Sequence, residues 1–220
     1  MTAVSAMNTG FEISDLPENE INDFISNVNL WVINDEPDKQ SISCFDVNKS
    51  GLVAIGQGAF ERKTVCVYSS TGDFQYGYTF NSSGSFGLEW DAENLNIYFY
   101  RSSVIISVTP TGEIVDVFEV EDSKENNSYV NKFIHATERT VGSTEYCIRN
   151  NMGIILNFIA PSYSQIVIKD ADGAENIIYD VNSMQLAKMI TVIVIVCIFV
   201  GTAIGIIVRR FSKYRKKTDR

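Results

Sequence analysis

The chain has 220 residues, 18 Lys/Arg against 27 Asp/Glu, a net charge of −9 and 45% hydrophobic residues. Its last twelve residues, RRFSKYRKKTDR, hold seven of the basic and one of the acidic side chains, which leaves 11 basic and 26 acidic on residues 1–208. So acidic a body excludes nucleic acid as its partner, because phosphate would be repelled, and excludes adhesion of that body to anionic lipid.

Residues 1–14 are small and polar and read as a flexible N-terminus. They carry neither the basic n-region nor the apolar h-region of a secretory signal. In the segment 15–40 an amphipathic helix is expected first. Pro17 suits a first turn, Glu18 and Glu20 sit where the helix dipole favours anions, and Ile21, Phe24, Ile25 and Val28 recur at helical spacing. Leu30 to Ile33 then reads as a short strand, closed by a polar run containing Pro37.

From Ser41 the hydrophobic period changes to two. Residues 41–182 divide into units of about 41–84, 85–125 and 126–182. The first runs ISCFDV, LVAIGQ, KTVCVYS and FQYGYTF; the second runs SFGLEW, LNIYFY, SVIISVT and IVDVFEV. Both have a Thr-Gly-acid turn before the fourth strand, so Gly72 and Gly112 correspond at a spacing of 40 residues. The third unit is looser: EYCIRN, IILNFI, SQIVIK and NIIYDV. The stretch SYVNKFIHATERTV fits neither period. In LNIYFY both faces are bulky and apolar, Tyr98 and Tyr100 on one and Ile97 and Phe99 on the other, so that strand is expected to be covered on two sides.

These units resemble blades of the NHL and YVTN type of β-propeller, and the whole chain is similar to uncharacterised single-pass bacterial membrane proteins. The resemblance covers residues 41–182. It implies a mainly β fold of antiparallel four-stranded propeller-like blades in an incomplete ring, preceded by a short helix and followed by one transmembrane helix. Three units are fewer than a closed propeller uses. A β-sandwich is the alternative.

The chemistry-bearing motifs are sparse. His135 is the sole histidine, GSFG at 84–87 lacks nucleophile-elbow spacing, and neither a phosphate-binding glycine loop nor HExxH occurs. No enzyme activity and no cofactor are expected. An envelope hydrolase would need His135 beside a carboxylate and a hydroxyl. Asp170 and Asp172 in DADG open like a calcium loop, although an Asp-Gly hairpin turn explains them as well. The stripe Phe74, Tyr76, Tyr78 and Phe80 is a candidate platform for a protein or glycan partner, with core packing as its other explanation. Cys44, Cys66 and Cys147 lie in strand-like runs without metal-ligand spacing and read as buried free thiols.

The stretch from Met189 to Val208 contains no charged residue. Twenty residues of helix extend roughly 30 Å, the thickness of a bilayer's hydrocarbon core. With a short lead-in, 183–208 is therefore expected to be a transmembrane helix. Beyond it the basic tail 209–220, with Arg209, Arg210, Lys213, Arg215, Lys216, Lys217 and Arg220, favours a cytoplasmic C-terminus, with the same cations able to meet anionic lipid. The N-terminal domain is then outside, which needs a start upstream of Met1; the alternative is a tail-anchored chain with a cytosolic domain. Cys197, Gly201 and Gly205 form a small-residue stripe that suits homodimerisation, and two three-unit halves paired there would make a six-bladed ring. The function expected is binding or scaffolding at the cell envelope, or membership of a larger membrane assembly.

Overall fold

The computed structural model describes residues 7–58, 61–160 and 162–218, with side chains through residue 207. The chain divides into two compact units, Met1–Asn151 with Pro161–Val181, and Met152–Ala160 with Asn182–Arg220.

The first unit is built of antiparallel meanders. The N-terminal strand β1 (Ile13–Asp15) is followed by α1 (Glu18–Val28) and β2 (Trp31–Ile33). The helix turns Ile21, Phe24, Ile25 and Val28 toward the core, and Asn29 ends it in the left-handed conformation at φ 45°. Next come β3 (Ile42–Val47), β4 (Val53–Gln57), β5 (Arg62–Tyr68) and β6 (Phe74–Asn81), then β7 (Phe86–Asp91), β8 (Asn94–Phe99), β9 (Val104–Val108) and β10 (Ile114–Val120). After α2 (Lys124–Tyr129) and a π-turn at Val130–Ile134 lie β11 (Glu138–Val141), β12 (Thr144–Arg149), β13 (Gln165–Lys169) and β14 (Glu175–Asp180).

These strands form three separate sheets, ordered β2-β6-β5-β4-β3, β1-β10-β9-β8-β7 and β11-β12-β13-β14. Each sheet is open at both ends. The propeller-like ring is therefore overturned, and with it the NHL/YVTN resemblance and the six-bladed pairing of two chains. The sheets lie face against face, as the sandwich alternative requires. Cys44, Ala54, Val65, Val67, Tyr78 and Phe80 of the first sheet share one core with Leu88, Leu95, Ile97, Phe99, Ile106 and Val108 of the second. The Tyr78 hydroxyl donates to the Thr109 carbonyl across this layer at 2.7 Å. Gly56 lies in the same layer, where a Cβ would collide with the Cys44 sulfur and the Phe86 ring.

The opposite face of the first sheet meets the third. Tyr68 and Tyr179 pack edge to face with ring centroids 5.6 Å apart, and the Gln57 amide donates to the Tyr179 hydroxyl at 3.0 Å. Strand β8 is covered on both sides, as its composition suggests. Leu95, Ile97 and Phe99 enter the shared core, while Tyr98 joins Ile105, Val120 and Ile134 in a second cluster.

The repetition in the sequence survives as turn chemistry. Gly72, Gly112 and Gly173 stand at φ 89°, 84° and 78°, a region that glycine enters without Cβ strain. Each donates its N–H to the residue three before it, Ser69, Thr109 or Asp170, at 3.0, 2.9 and 2.8 Å. The period identifies the hairpins; it says nothing about closing a ring.

Local readings also change. Residues 7–14, expected to be flexible, are fastened to the second sheet: Met7 and Phe11 are buried, and Ile13 begins a strand paired with β10. The ambiguous stretch after Ser128 is the end of α2, the π-turn and β11, with His135 closing the π-turn by donating its N–H to the Val130 carbonyl at 2.9 Å. IILNFI is not a strand. It is α3 (Ile154–Ile159), which begins after Gly153 at φ 88°.

In the second unit α3 accompanies α4 (Asn182–Thr218), 37 residues long. Its stretch Asn182–Ile207 is long and apolar enough to cross a membrane, and none of its most apolar window is buried.

Candidate functional site

The first unit holds a buried ion pair. Arg139 on β11 donates from Nε to Asp46 Oδ1 on β3 at 2.6 Å, with both side chains less than a tenth exposed. The other oxygen, Oδ2, accepts the Trp90 backbone N–H on β7 at 2.7 Å. The guanidinium also donates to the Phe133 carbonyl at 2.8 Å and stacks over the Phe133 ring at 4.4 Å. One carboxylate and one guanidinium thus join all three sheets and the π-turn. Burial pushes the Asp46 carboxyl above its ordinary range, and Arg139 with the Trp90 N–H pulls it back.

A second carboxylate holds the N-terminal segment. Glu89 on β7 accepts from the Thr9 hydroxyl at 2.6 Å, the Gly10 N–H at 3.0 Å and the Tyr129 hydroxyl at 2.6 Å. Gly10 must be glycine, since a Cβ would enter the Tyr129 ring. Asn126 completes the clasp. It accepts from the Glu12 N–H and donates to the Glu12 carbonyl, both at 2.8 Å. Chemically these carboxylates act as tethers, because their oxygens are engaged by groups from the elements they join.

Sequence reasoning missed both tethers. Asp46 stands in the middle of an apolar strand and Glu89 in another, and a charge at a two-sided buried position was the available signal. Their partners, Arg139 and Tyr129, sat in the stretch without a readable period.

The structure places the expected aromatic stripe in two different settings. Tyr78 and Phe80 are fully buried, and Tyr76 packs half-buried against the same core. Phe74 leaves the stripe, since a bulge sets Tyr76 opposite Val67 and Phe74 opposite Tyr68, which turns Phe74 to the other face. Its ring meets Tyr68 at 5.9 Å. Asp170 and Asp172 are exposed in the β13–β14 turn, and Asp170 lines a polar hollow of about 390 Å³ with Lys49, Ser70 and Tyr146. Among the described residues no group of three or more His, Cys, Asp or Glu could hold a metal ion. His135 Nε2 hydrogen-bonds the Tyr100 hydroxyl at 2.8 Å with the two rings stacked. That partner is a phenol, and the hydrolase reading asks in addition for a carboxylate beside His135.

The four cysteines are free. Burial pushes the Cys66 thiol up to about 12 and raises Cys44 and Cys147 as well, so none of these three is an activated nucleophile. In α4, Cys197 is exposed, and open space surrounds Gly201 and Gly205. The tail is helical to Thr218; the side chains of Arg209, Arg210, Lys213, Arg215, Lys216 and Lys217, and all of Arg220, lie outside the described residues.

Comparison of the chain with protein-family models, with curated proteins and with solved structures finds no match.

Proposed function

We propose that this protein is a single-pass, membrane-anchored β domain that serves as a non-catalytic subunit of a larger membrane assembly. The observation that carries the reading is the apolar stretch Asn182–Ile207, unburied in its most apolar window and separated from the last strand by Val181 alone. Unburied apolar surface of that length is stable in lipid and unstable in water.

In this reading the β domain faces outside and the seven tail cations stay in the cytoplasm. The acidic domain and the open third sheet meet a protein partner. On the outer side of that sheet, Arg149 pairs with Glu175 at 2.8 Å and Lys169 with Glu145 at 3.2 Å over the buried Cys147 and Val167, and Ile177 beside them is half-exposed. Exposed ion pairs beside an exposed apolar side chain are groups that the rim of a protein interface uses. Cys197, Gly201 and Gly205 add a face on which two α4 helices approach closely.

The native mass of the full chain, extracted from its own membrane in mild detergent, tests this. A species heavier than one chain plus its micelle, reduced to that mass by Ile177→Lys, is expected. A single-chain mass before any substitution would contradict the assembly.

A further inference from the structure

The loop between β12 and β13 presents an apolar face outward, the reverse of what the sheets do. Ile154, Ile155, Phe158 and Ile159 of α3 are 91%, 76%, 89% and 52% exposed. At about 100° per residue they fall within one arc of about 140° on the helix. The 19 residues 150–168 contain no charged side chain.

The base of this loop is fixed. The Asn150 amide donates to the Ser162 carbonyl at 3.0 Å, and the Ser164 N–H donates to the Arg149 carbonyl at 3.1 Å. Tyr163 and Ile42 exchange backbone hydrogen bonds of 2.8 and 3.0 Å. The tip has its own bracing, since Met152 donates its N–H to the Asn157 side chain at 2.8 Å and Asn157 donates its own to the Gly153 carbonyl at 2.9 Å. Such an element is built to hold four large apolar side chains out.

We propose that α3 is a second membrane contact, an interfacial helix whose Ile154, Ile155, Phe158 and Ile159 enter the boundary between headgroups and acyl chains. Six residues are too few to span, so an apolar arc of that size reaches no deeper than the interface. Its occupant is lipid because Met152–Ala160 belongs to the same compact unit as the membrane-spanning stretch, which brings a bilayer to this unit in any case. The uncharged loop also fits neutral lipid, where an acidic domain gains nothing from an anionic surface. The inference rests on α4 spanning the membrane, and it turns a single tether into a two-point attachment.

The test uses the full chain reconstituted in phosphatidylcholine vesicles whose acyl chains carry bromine near the headgroup. Phe158→Trp adds an indole to the background of Trp31 and Trp90, and Val115→Trp, at an exposed position of β10, is the control. The added Phe158→Trp emission is expected to fall at least twofold in brominated vesicles and to resist aqueous iodide; the control should do the opposite. A chain that floats with the vesicles while its Phe158→Trp emission responds to iodide and ignores bromine overturns this inference alone. Shielding from both quenchers also overturns it, and would mark a protein surface as the cover. A chain that fails to float with the vesicles overturns both this inference and the anchored reading.

Discussion

The isoleucines at the centre of the stacked sheets and those of the second unit have opposite fates. Ile97, Ile105 and Ile106 are fully buried in the stacked sheets, while Ile154, Ile155 and the isoleucines of α4 stand exposed. Sheet residues of this type drive folding by leaving water, at about 25 cal/mol per Å² of apolar surface. The exposed set makes no such contribution within the chain, so its stabilising phase lies outside the chain. The difference teaches that the two units carry their apolar surface in opposite ways, which under the proposed anchoring means water around the first unit and lipid around the second.

The largest effect is expected where the sheets are tied together by charge. Asp46→Asn leaves Arg139 buried without its counter-ion and should cost about 3–5 kcal/mol, read as a lower denaturant midpoint of the first unit's transition. Combining it with Arg139→Met should recover part of that loss, since no charge is then left buried without its counter-ion. If the single change is neutral, the tether is not what joins the three sheets.

Core and loop isoleucines give the next contrast. Ile106→Ala should destabilise by about 2–5 kcal/mol through the cavity it leaves. Ile155→Ala should change folding stability by less than about 0.5 kcal/mol, as an exposed position does. Equal effects in the two places would erase the division between solvents.

A smaller effect follows from the Cys66 thiol, which burial holds at about 12. An acid raised on folding is stabilising while it is protonated in both states. Stability is therefore complete below the ordinary thiol pKa of 9.0 and is lost as pH rises from there toward about 12. The loss approaches about 1.4 kcal/mol per pH unit in that window. Cys66→Ser should lower the alkaline slope by about that amount in denaturant titrations run between pH 9 and 11, leaving what Cys44 and Cys147 contribute, and an unchanged slope would remove Cys66 from the titrating groups.

Smallest in free energy is the pairing of spans. Gly201→Ile should reduce chemical crosslinking between α4 helices in detergent while leaving the β domain's denaturant midpoint within about 0.5 kcal/mol. Unchanged crosslinking would remove the small-residue face from the account.

Much of the first unit was legible because its signals are local. Alternation in ISCFDV and LNIYFY, the Thr-Gly-acid turns and the spacing of Ile21, Phe24, Ile25 and Val28 each act over a few residues. What failed was long-range. The way sheets close or stack is decided by contacts such as Arg139 with Asp46, which are 93 residues apart, and no local period encodes them. Phe74 was misplaced by one bulged residue, because a single-residue slip reverses the face of a strand. IILNFI misled for another reason: a short apolar run has no period of its own, and Gly153 started a helix where a strand was expected. The apolar span was legible from length and composition alone.

The central claim is that α4 crosses a membrane and divides the chain between its two sides. It is tested most directly by fusing a reporter that is active only outside the membrane, once after Val181 and once after Arg220, in the full chain's native setting. Activity after Val181 and silence after Arg220 is the predicted result. Equal activity in both fusions would mean that the helix does not cross, and activity after Arg220 alone would reverse the orientation.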